Sequence, residues 1–321
     1  MPSLKEIKTR ITSVNSTRKI TSAMKMVASS KLHHAQMMIG NMLPYETMLE
    51  HIMKTFIASD VELRSAYSVE RPVKNVALVV FSSNSSLCGG FNANILKTMT
   101  HVIEGYKGLG KEHIIIYPVG RKVAEHVQKA GYRVGGNFNE LVDKPDVQKC
   151  IEITRELGEK FVNGEIDKVE LIYHHFKSAG SQILTRKSLL PIDITSELAR
   201  DHERDLESNV VTKESQEYLK QKGQKTSTES IETTPLNENY IVEPNMHTVL
   251  DTLVPKMIHL MLYTALLDSI ASEHAARMVA MQTATDNADE LLRQLNLQYN
   301  KSRQQAITNE LLDLAGGSVN N

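Results

Sequence analysis

Tryptophan is missing from this chain of 321 residues, and the aromatic share reaches only 5%. With 41% hydrophobic residues over a length that ordinarily supplies about two domains, that is thin for two packed cores. Part of the chain is therefore expected to be elongated. An excess of charge is missing too: 37 Lys and Arg against 38 Asp and Glu leave a net charge of −1, which argues against a polycation built for wholesale nucleic-acid binding. The longest unbroken apolar run, Val76 to Phe81, is far short of the roughly 20 residues of a membrane span. The opening Met1-Pro2-Ser3-Leu4-Lys5-Glu6 holds no apolar signal core, so the expectation is a soluble chain made where it works. Two cysteines, Cys88 and Cys150, supply neither a metal cluster nor a multi-bridge framework, and a reducing compartment is the simplest reading.

What charge there is lies unevenly. Residues 1–35 hold seven bases (Lys5, Lys8, Arg10, Arg18, Lys19, Lys25, Lys31) against Glu6 alone, whereas residues 201–245 hold ten acids against five bases. A cationic helix face is ordinarily a solvated one, and it also suits an acidic socket on another protein; composition does not choose.

From Leu4 to about Ile57 apolar residues recur by alternate steps of three and four: Leu4, Ile7, Ile11, Val14, then Ala35, Met38, Met42, Tyr45, Leu49, Ile52 and Phe56, with a gap at Arg18, Thr21 and Lys25. The same stepping from Leu250 runs through Leu253, Met257, Leu260, Leu267, Ala271, Met278, Met281, Ala288, Leu292 and Leu295 to Tyr299, with only Thr264, His274 and Thr285 polar. Pro44 and Pro255 interrupt these patterns, and Pro255 predicts a kink or a late helix start. Helices of this length span roughly 80 to 100 Å, against a radius of gyration of about 15 Å for a compact middle domain. One helix begins the chain and the other ends it, so the economical arrangement is an antiparallel coiled coil with the globular middle attached at one end.

The middle alternates strand and helix patterns. Asn75–Phe81, His113–Val119, Lys168–Phe176 and Gln182–Leu190 read as strands, and segments from about Asn92, over Arg121–Ala130 and over Asp146–Val162 read as helices. That order predicts a Rossmann-like α/β domain with a mainly parallel sheet, its last strand antiparallel if any is. The division expected is a helix within residues 1–70, the α/β domain within 71–245, and a second helix within 246–321. Residues 196–240, acidic and without apolar periodicity, read as a solvated insertion.

Chemistry is scarce. The loop Ser82-Ser83-Asn84-Ser85-Ser86-Leu87-Cys88-Gly89-Gly90-Phe91-Asn92 sits where α/β folds bind phosphates, yet it has neither a G-x-G-x-x-G nor a Lys-Ser or Lys-Thr after a glycine. A tight turn in which Gly89 and Gly90 allow close backbone approach accounts for it, with Cys88 a buried thiol. Neighbours on a helix or strand point apart, so neither His33-His34 nor His174-His175 chelates one ion locally. His274, on the seam, reads as a satisfied core histidine or as a contact to a partner.

Two segments are specific beyond pattern: Ile20-Thr21-Ser22-Ala23-Met24-Lys25-Met26-Val27-Ala28-Ser29-Ser30-Lys31-Leu32, and Ser272-Glu273-His274-Ala275-Ala276-Arg277-Met278-Val279-Ala280-Met281-Gln282-Thr283-Ala284-Thr285-Asp286-Asn287-Ala288. With the ending Tyr299 to Leu312 and the loop Leu87-Cys88-Gly89-Gly90-Phe91-Asn92, they strongly resemble the gamma subunit of the F-type proton-translocating ATP synthase, of the bacterial type. The resemblance implies a coiled-coil shaft on a Rossmann-like foot, turning inside a ring of alpha and beta subunits and coupling proton flow through the membrane c-ring to ATP synthesis or hydrolysis on beta. It implies a non-catalytic subunit without cofactor or metal. Its partners would be the alpha and beta subunits, the epsilon subunit and the c-ring, at the cytoplasmic face of the bacterial plasma membrane. It also implies that Met24, Lys25, Arg277, Gln304, Thr308 and Glu310 face the ring, and that Leu87, Cys88, Gly89, Gly90, Phe91 and Asn92 form the foot-domain loop. Asn84, Ser85 and Ser86 depart from the family's usual Asp, basic residue and Gly, and residues 196–240 are longer than usual. A nucleotide-dependent α/β enzyme with coiled-coil arms is the alternative, and a passive coiled-coil scaffold a second.

Overall fold

The computed structural model describes residues 3–58, 65–193 and 242–318. Helix α1 spans Leu4–Ala58, and α6, the last element, spans Met246–Ser318. Between them come β1 (Val76–Phe81), α2 (Phe91–Gly105), β2 (Ile114–Val119), α3 (Arg121–Ala130), β3 (Arg133–Val134), α4 (Glu140–Asp143), α5 (Val147–Val162), β4 (Lys168–Ser178) and β5 (Ser181–Leu190). The chain forms two units, one of Met1–Ser29 with Arg277–Asn321 and one of Ser30–Ala276.

The first unit is an antiparallel helix pair. Helix α1 starts at Leu4 because Ser3 and Glu6 make a reciprocal capping box: the Ser3 N–H donates to Glu6 Oε2 at 2.8 Å and the Glu6 N–H to Ser3 Oγ at 3.3 Å. Buried residues then recur at multiples of seven, Ile7, Thr21 and Ala28 on α1 and Met281, Ala288 and Leu295 on α6. The break expected at Thr21 is no break, since its hydroxyl meets that of Thr285 at 2.8 Å inside the seam. One turn away Arg18 pairs with Asp289 at 2.9 Å. Rising numbers on α1 meet falling numbers on α6, which fixes the antiparallel sense. In that register α6 runs on past the start of α1 from about residue 304.

The second unit holds the five-stranded sheet, in the order β3-β2-β1-β4-β5. Strands β1 to β4 are parallel and β5 returns antiparallel on β4. Every residue of β1 is buried, as a central parallel strand covered on both faces requires. On one face Val76, Leu78, Val80, Ile116 and Ile172 pack against Ile95 and Met99 of α2 and Val123 and Val127 of α3. On the other, Tyr117 bonds Glu156 of α5, and His175 Nδ1 of β4 lies 2.7 Å from Asp268 Oδ2 of α6.

Several expectations change. Between Leu260 and Ala271 all of α6 is buried except the half-buried Thr264, so this stretch is enclosed on every side rather than seamed on one. A window within His247–Leu312 is by length and composition apolar enough to cross a membrane, which counting the longest apolar run overlooked; 72% of it is buried inside the protein. Pro255 lies inside a helix that already begins at Met246, so there is no late start. On α1 the frame shifts, leaving Tyr45 exposed and Ile52 half-buried, while Glu46 and Met53 are buried. The short β3 and α4 were not foreseen. The segment 196–240 lies outside the described residues.

Candidate partner surfaces

The ring-facing candidates fall into three environments. Met24 and Lys25 are half-buried on α1, one turn beyond the Thr21–Thr285 contact. Arg277 is only 9% exposed and has an interaction partner within the chain, so its side chain is committed mainly to its own protein. Gln304, Thr308 and Glu310 are exposed, because α6 has by then outrun α1. Thr308 Oγ1 turns back to the Gln304 carbonyl at 2.9 Å, an ordinary helix-surface bond. These residues do not converge into one site; they lie along a surface.

Sequence reasoning missed the apolar residues of that surface. Ile20, Val27, Leu297, Ile307, Leu311 and Leu312 are 49% to 64% exposed. A signal was present, because each stands off the heptad seam that accounts for its neighbours, and an apolar residue with no place in the core is informative when several cluster.

The foot-domain loop does come together as a unit. Asn92 turns its amide back to donate to Ser83 Oγ at 2.7 Å and to Cys88 Sγ at 3.1 Å, while the Ser83 N–H donates to Asn92 Oδ1 at 3.1 Å. Cys88 and Phe91 are buried, and Phe91 stacks on His174 with centroids 4.3 Å apart. Gly90 caps α2 with an ordinary φ of −79°, whereas Gly89 is left-handed at 59°. At Gly90 an added Cβ would meet only the Asn94 side chain, at 3.4 Å, so the close backbone approach expected there belongs to another glycine. A Cβ on Gly120 would sit 2.1 Å from the Ser82 carbonyl oxygen. Leu87 points out of the loop, 60% exposed, with φ at 68°.

His33 is exposed, and His174 and His175 take opposite faces of β4. His274 is buried and engaged within the chain. Burial, with Asp146 nearby, pushes the Cys150 thiol up to about 12, where it is inert as a nucleophile. A pocket lined by Glu46, Leu49, Tyr173, His175, Met257 and Asp268 lies within the second unit. Among the described residues there is no group of three or more His, Cys, Asp or Glu side chains that could hold a metal ion.

Among known families, the ATP synthase family matches residues 3–319. The ATP synthase gamma chain of Phocaeicola vulgatus is 51% identical over 319 residues, covering 99% of this chain and 100% of that one. The gamma chain of Bacteroides thetaiotaomicron is 50% identical with the same coverage. A chain in the cryo-EM structure of the Euglena gracilis mitochondrial ATP synthase, OSCP/F1/c-ring, rotational state 3, superposes with a TM-score of 0.58 at 18% identity, over 98% of this chain and 93% of that one. That likeness concerns the fold.

Proposed function

The chain belongs to the ATP synthase gamma family, and from that premise we propose that it is the central rotor shaft of a bacterial F-type ATP synthase. The helix pair is the axle and the sheet domain the foot, in the three-part division 1–70, 71–245 and 246–321. The axle sits in the ring of alpha and beta subunits, and the foot meets the epsilon subunit and the c-ring at the cytoplasmic face of the plasma membrane. Catalysis belongs to beta. The observation that carries this reading is the run of exposed apolar and polar side chains on a helix pair whose own seam is already filled, most of all from Gln304 to Leu312.

The mechanism needs asymmetry. A ligand shifts a conformational equilibrium only through different contacts with its states, so an axle presenting unlike faces to the beta subunits biases each toward a different conformation. Two helices with different sequences, one extending past the other, present such faces. Turning the axle then carries every beta site through the series.

Copurification with a tagged copy is expected to bring down alpha, beta, epsilon and c subunits together. Recovery of the folded chain alone, or as a homodimer, overturns the assignment. The isolated chain is expected not to bind ATP, because its glycine loop has no lysine to reach a terminal phosphate and its own side chains close on one another. Micromolar binding in equilibrium dialysis would favour the nucleotide-enzyme reading.

A further inference from the structure

From Leu260 to Ala275 every residue of α6 except the half-buried Thr264 is buried, so the helix is packed on all sides. Apolar burial is non-directional. A helix with one apolar stripe is turned by that stripe toward the core, whereas a helix enclosed all round gains nearly the same burial at any rotation about its own axis. Leu260, Met261, Leu262, Leu266, Leu267 and Ile270 are buried, and at 100° per residue they leave no gap in the circumference wider than about 100°. What sets the rotation of α6 must therefore be directional.

Two directional contacts join α6 to β4. His175 Nδ1 lies 2.7 Å from Asp268 Oδ2, with the Asp268 side chain 2% exposed and that of His175 19%. One turn further along, the fully buried Ser272 donates from Oγ to the His174 carbonyl at 3.1 Å. Positions four apart on a helix share a face, and here they hold two consecutive residues of the strand. His174 lies two residues past the last β1–β4 pair, Val80 with Ile172, where β1 no longer offers β4 a neighbour. Asp268 has a further partner within the chain, as have Glu273 and His274, and nearer the start of α6 His259 meets Thr154 of α5. Turning α6 takes Asp268 and Ser272 away from their partners and sets a carboxylate against apolar neighbours, which is unfavourable. Buried polar groups used in this way select one arrangement among those that burial alone allows.

The helix continues unbroken to Ser318, so its rotation here is carried along its backbone. We propose that Asp268 and Ser272 are positioning residues that fix the rotation of α6 in the sheet domain, so that torque reaching this domain is passed to the shaft without slip. Only the passing of torque rests on the rotor reading. Nitroxide labels at Lys256→Cys on α6 and Ile183→Cys on β5, both exposed, read the rotation as an electron-spin distance in the full chain. Cys88 and Cys150 are buried and stay unlabelled. A slip of one residue turns a helix by about 100° and moves a side-chain tip on it by about 8 Å. Asp268→Leu with Ser272→Ala keeps the bulk and removes both contacts; its distance distribution is expected to broaden or to gain a component displaced by up to that amount. Asp268→Asn alone keeps a hydrogen bond to His175 and is expected to retain the parent distribution. His175→Leu with Ser272→Ala cuts the same contacts from the strand side, is expected to broaden likewise, and serves if the first pair does not fold. An unchanged distribution in the folded double variants, or Asp268→Asn as broad as they are, overturns the positioning role.

Torque is read in the assembled complex, in inverted membrane vesicles, as ATP-driven proton pumping relative to ATP hydrolysis. The double variants are expected to hydrolyse ATP at near the parent rate and to lose pumping, whereas a merely structural defect lowers both in proportion to the complex assembled. An unchanged ratio, with the distance results as expected, overturns the torque role alone. Copurification of the wild-type chain decides the rotor reading separately.

Discussion

The imidazole of His174 is 3% exposed, stacks on Phe91, and has an Nδ1 without a hydrogen-bond partner among the described residues. Burial pushes its pKa down to about 4, whereas an unfolded histidine titrates near 6.5. Below about 6.5 the unfolded chain therefore takes up a proton that the folded chain refuses, so this group costs stability progressively as pH falls from about 6.5 to about 4. The full cost is roughly 3 kcal/mol. His174→Phe keeps the stacking and is expected to flatten that part of the stability–pH curve in urea titrations; an unchanged slope would show that the acid sensitivity lies elsewhere. Gly120 is the other residue with a sharp expectation. Its φ of 112° and its contact with the Ser82 carbonyl leave no space for a methyl group, so Gly120→Ala should cost about 2–4 kcal/mol, measured by denaturant midpoint. The sequence placed His174 and His175 on opposite faces of one strand, because alternation is a local rule. It did not tell which face is the drier, nor that Gly120 rather than Gly90 carries the close approach, because both depend on segments distant in the chain.

At the scale of elements, the helix pair was legible from heptad stepping alone, and its polar gap was the part misread. Thr21 and Thr285 occupy seam positions with their hydroxyls 2.8 Å apart, and each also lies within bonding distance of a carbonyl of its own helix, Arg18 and Met281 respectively; with one proton apiece, one threonine donates to the other and the second donates to its own carbonyl. Replacing one threonine by valine removes a hydrogen bond and should cost about 1 kcal/mol, whereas Thr21→Val with Thr285→Val together should be near neutral or stabilising, since no partner is left behind. Thermal melts of the three variants check this, and additive losses in the double variant would mean that the seam does not close at Thr21. The Arg18–Asp289 pair is exposed and adds little. The middle strands and helices were read nearly to their ends, Arg121–Ala130 among them, because buried runs and capped amphipathic stretches are short-range signals. Two-residue β3 and four-residue α4 carry too few residues to show any period.

At the scale of the whole molecule, the proposed rotor predicts that where a covalent link is placed decides its effect. Thr21 and Thr285 stand opposite each other in the seam, their hydroxyls 2.8 Å apart. A disulfide from Thr21→Cys to Thr285→Cys staples the shaft to itself and should leave ATP hydrolysis by the assembled complex nearly unchanged. A tie from the shaft to the ring should abolish it until reduced. Arg277 is too buried to carry that tie, and Val279, 45% exposed on the same helix, is the better anchor. Full activity with the Val279 tie verified in every complex would refute rotation for this protein.

The sequence by itself determined the two long helices, the alternating α/β middle and the absence of any phosphate-gripping motif, because periodicity, capping and motif spacing are written in consecutive residues. Its resemblance to the gamma family was likewise carried by contiguous segments, most of them in the terminal helices. Tertiary structure alone decided the rest. Whether Glu46 or Tyr45 turns inward on α1, how far α6 is enclosed, and that the Asn92 amide closes on Ser83 and Cys88 depend on what packs against each residue. A helix pattern gives the face that is apolar, but burial on the remaining faces is set by neighbours.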